Sequence, residues 1–276
     1  MARGTLLALL LLISTPAATV EIPAEIEACM KQNLPASTSV QAIELRARDR
    51  SHFEQVMHAN VFWKRQDDKN SGVMMHFSEP VDIRGARFLI KQSQPGNEMY
   101  IYMPGLLKVR RVSSRKISSS VMGTDFSYED FERLHGVLTD LKLEQSPDDI
   151  VSGRPVYVLT SYPDEDSGYT RIASYIDKQT CVVLKTEFYE KGQQLRKQLT
   201  VEPSAIQKTG NIWYPAEMLM KDLRDKTETR LLVRRITTGG ALDDSLFDEK
   251  QLKQADIPPV DSPDTMRILD RFSGLV

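Results

Sequence analysis

The chain has 276 residues, 41% of them hydrophobic and 27% charged, with 36 lysines and arginines against 38 aspartates and glutamates for a formal net charge of -2. This is the composition of a globular protein and excludes a disordered or collagen-like one; the lack of a basic excess also argues against a phosphate-tracking nucleic-acid binder. The length suits a large core or an enclosed cavity, in two average domains or one large β-domain.

In chain order, Arg3, the apolar run 6–13 and the small residues Thr15-Pro16-Ala17-Ala18 read as a secretory signal peptide over residues 1–18, cut after Ala17 or Ala18. The run is too short to span a bilayer, and no later stretch reaches the ~20 apolar residues that a transmembrane helix needs. Cys29 does not directly follow the apolar run, so the reading is an exported chain without a lipid anchor. Pro23, with Ile22, Ile26, Cys29, Met30 and Leu34 at helical spacing, predicts an amphipathic helix. From there the period is two. Strands are expected over 40–48, 53–64, 73–77, 86–91, 99–103 and 106–112, and again over 138–145, 155–162, 169–177, 182–190, 194–201, 213–221 and 228–237. Links such as Gln94-Pro95-Gly96-Asn97 and Glu190-Lys191-Gly192 are short, which requires antiparallel neighbours. Between the two runs, Ser127-x-x-Asp130 resembles a capping box and predicts a helix over 127–135 with Tyr128, Phe131 and Leu134 on its apolar face. A third helix is expected near 243–255, then an irregular tail with Pro258, Pro259 and Pro263.

So few helices rule out alternating βαβ units. The expected fold is mainly β (α+β): a single curved antiparallel sheet forming a half-open β-barrel closed by a few helices, over residues 19–257, with a tail over 258–276. A sheet of a dozen strands that two or three helices cannot cover must bend around them, and the bend can leave room for a ligand. The inward face is read from alternation: Met57, Val61 and Trp63 on one strand, Met75 and Phe77 on another, Met99, Ile101 and Met103 on a third, with Met122 near the second helix. These residues line either a packed core or a cavity suited to flexible acyl chains, for which methionine is adaptable.

No catalytic or metal-binding pattern appears. His52, His58, His76 and His135 have no ligand spacing, and Ser113-x-x-Lys116 ends a strand where a serine-enzyme motif needs a helix. Asp67-Asp68, Asp148-Asp149 and Asp164-Glu165-Asp166 are read as turn residues. The reading is of a protein that is not an enzyme and needs no cofactor or metal. Cys29 and Cys181 are either a disulfide, which an oxidising compartment permits, or two buried thiols. Lys108, Arg110, Arg111, Arg115 and Lys116 place five cations within nine residues, either a solvated strand end or a transient contact with an anionic membrane surface.

The blocks 77–89 (FSEPVDIRGARFL), 99–104 (MYIYMP), 109–112 (VRRV) and 122–130 (MGTDFSYED) resemble the LolA-like outer-membrane lipoprotein-sorting proteins, in the branch found beside RND-type (MMPL-like) inner-membrane transporters. The matching positions are Pro80, Arg84, Gly85, Pro104, Arg110, Arg111, Gly123, Thr124, Asp125, Tyr128 and Asp130. The resemblance implies a half-open barrel with an apolar cavity. It also implies a periplasmic carrier or chaperone that moves acyl chains of lipids or lipoproteins between inner and outer membrane, with an RND-type transporter as partner. The alternative is a periplasmic lipid-sensing regulator that binds a membrane signalling partner.

Overall fold

The computed structural model describes residues 22–67, 70–92, 97–134, 143–254 and 257. The expected signal peptide, the whole tail beyond 257 and the first part of the strand expected at 138–145 lie outside them.

Two helices are described, α1 (Ala24–Gln32) and α2 (Tyr128–Leu134). Six strands follow α1: β1 (Thr38–Arg48), β2 (Glu54–Arg65), β3 (Ser71–Glu79), β4 (Arg87–Gln92), β5 (Glu98–Met103) and β6 (Lys108–Arg111). After α2 come β7 (Leu143–Val151), β8 (Arg154–Ser161), β9 (Arg171–Asp177), β10 (Val183–Glu190), β11 (Gln194–Thr200), β12 (Ile206–Thr209), β13 (Ile212–Pro215), β14 (Glu217–Asp222) and β15 (Thr227–Thr238). Thirteen of them form one sheet in the order β6-β5-β4-β3-β2-β1-β15-β14-β11-β10-β9-β8-β7. All its neighbours are antiparallel, and β15 lies along β1 with Ser39 opposite Thr238 and Arg48 opposite Glu228, joining the two halves of the chain. The sheet is curved and does not close; β6 and β7 are its free edges.

One face explains the curvature. Leu45, Met57, Met75, Phe77, Phe88 and Met99 from β1 to β5 share a buried cluster with Phe131 of α2, Ile172 and Phe188 of β9 and β10, and Leu199, Met220 and Leu231 of β11, β14 and β15. Strands far apart in the sheet order can share one core only if the sheet curls around it. α1 packs at the far end through Ile26 and Cys29 against Leu159 and Ile176, and a Cys29–Cys181 disulfide ties it to the β9–β10 turn. Of the two states open to these cysteines, the bonded one is present. Asn33 adds a clamp: its Nδ2 donates to the Thr180 carbonyl at 2.8 Å, and its Oδ1 accepts from the Trp213 backbone N–H at 2.9 Å.

Four expectations change. The helix expected at 243–255 is a short 3-10 turn, Asp244–Phe247, capped by Asp243 and followed by further turns. Its apolar residues dock singly: Phe247, Leu252 and Ile257 cover Val40, Phe62, Met74 and Leu89 on the convex side of the sheet. Gly72 makes room for this, since a Cβ there would stand 2.6 Å from the Phe247 ring. Asp148-Asp149 lies within β7, beside a register shift between Ser146 and Asp149, and exposed charges suit an edge strand that must not recruit another chain. The strand expected at 213–221 is two, because Pro215 has no N–H for the ladder: β13 pairs with β12 in a separate hairpin while β14 joins the large sheet. At 106–112 a 3-10 turn, Pro104–Leu106, comes first, and the strand starts only at Lys108.

His76 sits on β3 opposite Arg87, with its Nδ1 buried and unpartnered. Burial, and then the Arg87 charge, pull its pKa from 6.5 down to about 4. A group whose folded pKa is depressed below its unfolded value stabilises the fold fully above the unfolded value and loses that contribution as pH falls. The structure therefore predicts an acid-side loss of stability between pH 6.5 and 4, on the order of 3 kcal/mol from this residue. Urea denaturation of wild type and His76→Phe across that range checks it, and the variant should show the shallower dependence.

Candidate functional site

The site is built around α2, which only seven residues would not hold in place by themselves. Its N-terminus carries the expected reciprocal cap: the Ser127 N–H donates to Asp130 Oδ2 at 2.8 Å, and the Asp130 N–H donates to Ser127 Oγ at 3.3 Å. Asp130 is almost wholly buried and accepts two further bonds, from Lys197 Nζ at 2.9 Å and from the Tyr169 hydroxyl at 3.0 Å. Lys197 also donates to the Asp125 carbonyl at 2.7 Å. The Asp125 carboxylate accepts from the hydroxyls of Thr227 and Thr229 on β15; burial raises its pKa against the lowering effect of those bonds. Glu129 accepts from Ser167 Oγ at 2.6 Å and from the Gly168 N–H at 3.2 Å, and burial raises its pKa as well. Gly168 is needed for that approach, since a Cβ would come within 2.5 Å of Ser118 Oγ. Burial, then the Asp130 charge, pushes the Tyr169 hydroxyl well above its ordinary value, so it stays a donor. The network fastens α2 to β11, β15 and the loop before β9.

Beneath the end of α2 lies an apolar cavity of about 330 Å³, at the lower end of the range for small-molecule sites. Phe131 and Leu134 of α2 roof it, Leu34 and Pro35 after α1 line another part, and Trp213 of β13 contributes an aromatic wall. The sheet supplies Ile43, Val61, Trp63, Met75, Ile172, Phe188, Leu199, Met218, Met220, Leu231 and Val233. Polar side chains interrupt this surface, among them Ser39, Gln41, Ser174 and Thr186, and two charged residues of α2, Asp130 and Arg133, stand at its edge with the helix.

Of the residues singled out in sequence, Val61, Trp63 and Met75 line this cavity, as do the motif residue Asp130 and the disulfide-bonded Cys181. Met57, Phe77 and Met99 belong to the solid part of the same core. Ile101 is half-buried opposite Phe88 on β5, while Met103 and Met122 are half-buried against the core cluster. Among the motif positions, Asp125 and Asp130 meet in the α2 network and Thr124 turns inward, its hydroxyl donating to the Val121 carbonyl at 2.7 Å. Tyr128 stacks tilted on Phe88 at 5.0 Å. Gly123, with φ +81°, makes the bend leading into the helix. Pro80 follows a cis bond, Arg84 Nε donates to the Ser78 carbonyl at 3.1 Å, and Gly85 lies against Pro104. Arg110 and Arg111 are exposed on the β6 edge and take no part in the cavity. The sequence reading missed Lys197, although a visible signal existed: it interrupts the apolar alternation Leu195, Leu199, Val201, where a lone inward lysine needs a buried partner.

A second cleft, about 630 Å³, lies between the segment 123–125 and the β1–β2 turn. Its walls carry ion pairs already made, Arg196 to Asp222 at 2.6 Å and Arg224 to Glu190 at 3.1 Å, so it is a polar groove. Among the described residues, no group of His, Cys, Asp and Glu could hold a metal ion, and no helix is long and apolar enough to cross a membrane.

A curled, open sheet that holds a helix and an apolar cavity in its concavity defines a class of binding fold, the LolA-like half-barrel. A family model described as "Uncharacterized protein" matches residues 69–254, two thirds of the chain, and the chain belongs to that family. Among solved structures it is similar to a domain from Vibrio parahaemolyticus provisionally described as outer membrane lipoprotein-sorting, at 25% identity and TM-score 0.76 over 83% of this chain and 97% of that one. It also resembles a DUF1329 family protein from Desulfovibrio piger, at 22% identity and TM-score 0.76 over 85% and 100%. A LolA superfamily protein from Nitrosomonas europaea shares the fold at 19% identity and TM-score 0.65 over 84% and 98%. A search of curated proteins gives no match.

Removing one partner of a buried ion pair leaves the other charge uncompensated, which costs about 3–5 kcal/mol. Lys197→Met should lower stability by that amount in chemical denaturation, and Lys197→Met combined with Asp130→Leu should recover much of it, since no lone charge then remains.

Proposed function

We propose that the protein is a periplasmic carrier that holds acyl chains of lipids or lipoproteins in the apolar cavity and passes them between inner and outer membrane, with an RND-type inner-membrane transporter as donor. The cavity is the observation that carries this reading. Protein interiors are close-packed, and a recess of this size leaves apolar side chains facing water unless a ligand covers them. A chain that keeps such space, walled by aliphatic and aromatic side chains and rigidly roofed by α2, gains from a flexible apolar ligand that fills it. Each methylene withdrawn from water contributes ~0.8 kcal/mol, so part of one acyl chain suffices for binding without covalent chemistry. Ser39, Gln41, Ser174 and Thr186 are placed to meet ester or amide groups at the ligand's polar end. Support also comes from the similarity to the Vibrio domain described as outer membrane lipoprotein-sorting.

The cavity and the solid core respond differently to a buried charge. Leu34→Arg and Val233→Arg introduce a cation at half-buried cavity positions, whereas Met57→Arg and Phe77→Arg place it where neither a void nor a partner exists. The first pair should fold with nearly unchanged melting temperature and lose at least about tenfold in affinity for a fluorescent fatty-acyl probe; the second pair should not fold. Probe titration and thermal melts on the same samples check both. Equal loss of folding in the two pairs would mean a solid core.

A further inference from the structure

Register places the exposed apolar residues. β1 and β2 meet at the turn 49–53, β3 and β4 at 80–86, β5 and β6 at 104–107, and β14 and β15 at 223–226, and the antiparallel order puts all four turns on one rim. Contacts tie them together: Arg50 Nε donates to the Asp225 carbonyl at 2.6 Å, His58 bonds Glu79 at 2.8 Å, and Gly85 lies against Pro104. Six large hydrophobic residues on this rim face solvent, Phe53 (68% exposed), Val56, Val81 (77%), Leu106 (53%), Leu107 (63%) and Leu223, and among the described residues only Ile150 lies at the opposite one. Exposed aliphatics scattered singly need no explanation; several on adjoining hairpin tips do.

Charge divides the rim. Its middle is mixed, with Asp49, Glu54, Glu79, Asp82 and Asp225 among its arginines. At the β5–β6 end no acidic residue occurs between Glu98 and Asp125, while five cations do. Arg111 pairs with Glu98 at 3.0 Å; Lys108, Arg110, Arg115 and Lys116 are exposed and make no ion pair among the described residues. Lysines and arginines on a free sheet edge guard against pairing with another chain, which would account for Lys108 and Arg110. It does not account for two leucines exposed side by side at the tip of that edge, because they work against the same protection. Aliphatic side chains projecting from a tight turn with unpaired cations behind them match the layers of an anionic bilayer, where acyl chains lie below phosphates.

We propose that the β5–β6 turn docks the protein on anionic bilayers, with Leu106 and Leu107 entering the headgroup–acyl boundary and Lys108, Arg110, Arg115 and Lys116 meeting lipid phosphates. This names the surface through which the carrier proposed above reaches a membrane, yet it stands on residues outside the cavity. Binding therefore rises with anionic lipid and falls with salt, as screened contacts do.

The mature chain is floated with vesicles of phosphatidylcholine alone or with about one third phosphatidylglycerol, and the acyl-probe affinity of every variant is measured in parallel. Wild type should bind the anionic vesicles and be released by salt. Leu106→Ser with Leu107→Asn, asparagine suiting the left-handed φ of +51° at position 107, should weaken vesicle binding about tenfold or more. So should conversion of the four unpaired cations to glutamine. Both should leave probe affinity and melting temperature unchanged, and Ile150→Ser should change nothing. Failure of wild type to bind anionic vesicles, or undiminished binding by the leucine variant, overturns the docking surface even where the probe still binds. Vesicle binding without probe binding would instead uphold the docking surface and overturn the carrier reading.

Discussion

Strands from both halves of a thirteen-stranded sheet share one apolar face, and with two short helices described to cover it, the way to keep that face from water is to curl. Every other feature of the site depends on that curvature. It brings Phe188 and Leu199 of the second half of the chain into the same cluster as Met57 and Phe77 of the first, and it leaves the concavity too wide for side chains from the strands alone to fill. α2 and α1 occupy part of the space and the apolar cavity is what remains between them. The convex side is closed separately by Phe247, Leu252 and Ile257, so the sheet can be apolar on both faces over β1 to β5 without exposing either.

Curvature makes room, but position within it is set by charge. α2 sits over the cavity because Asp130, placed inward by its own helix cap, meets Lys197 of β11 and Tyr169 of the loop before β9, dozens of residues further along the chain. An ion pair in this setting adds little net stability compared with a well-packed apolar substitute, yet it penalises any arrangement in which one partner lacks the other. It therefore acts on geometry: α2 has one seat from which to roof the cavity. The polar groove beside the network is larger than the cavity, but its charges are already paired, which leaves the apolar space as the better site for a ligand.

The strands were legible in the sequence because alternation and turn chemistry are local, and the capping box was legible for the same reason. The curled architecture followed from counting strands against helices. Other features depend on partners far along the chain. The Asn33 clamp to Thr180 and Trp213, the pairing of Lys197 with Asp130, and the docking of Phe247 over Gly72 carry no local pattern. Thus three of the nine positions chosen for the cavity, Val61, Trp63 and Met75, line it. Alternation tells which face a residue takes but not how far along the strand the packed core gives way to space.

The central claim is that the concavity of this half-barrel holds an acyl chain. Native mass spectrometry of the mature protein purified without detergent from the periplasm of a Gram-negative host tests it most directly. The account predicts a one-to-one adduct whose mass, on dissociation, is that of an acylated lipid or lipoprotein fragment, and which is absent from the folded Leu34→Arg and Val233→Arg variants. A wild-type protein that is only ever unladen, and that takes up no lipid when incubated with periplasmic membrane extract, would contradict it.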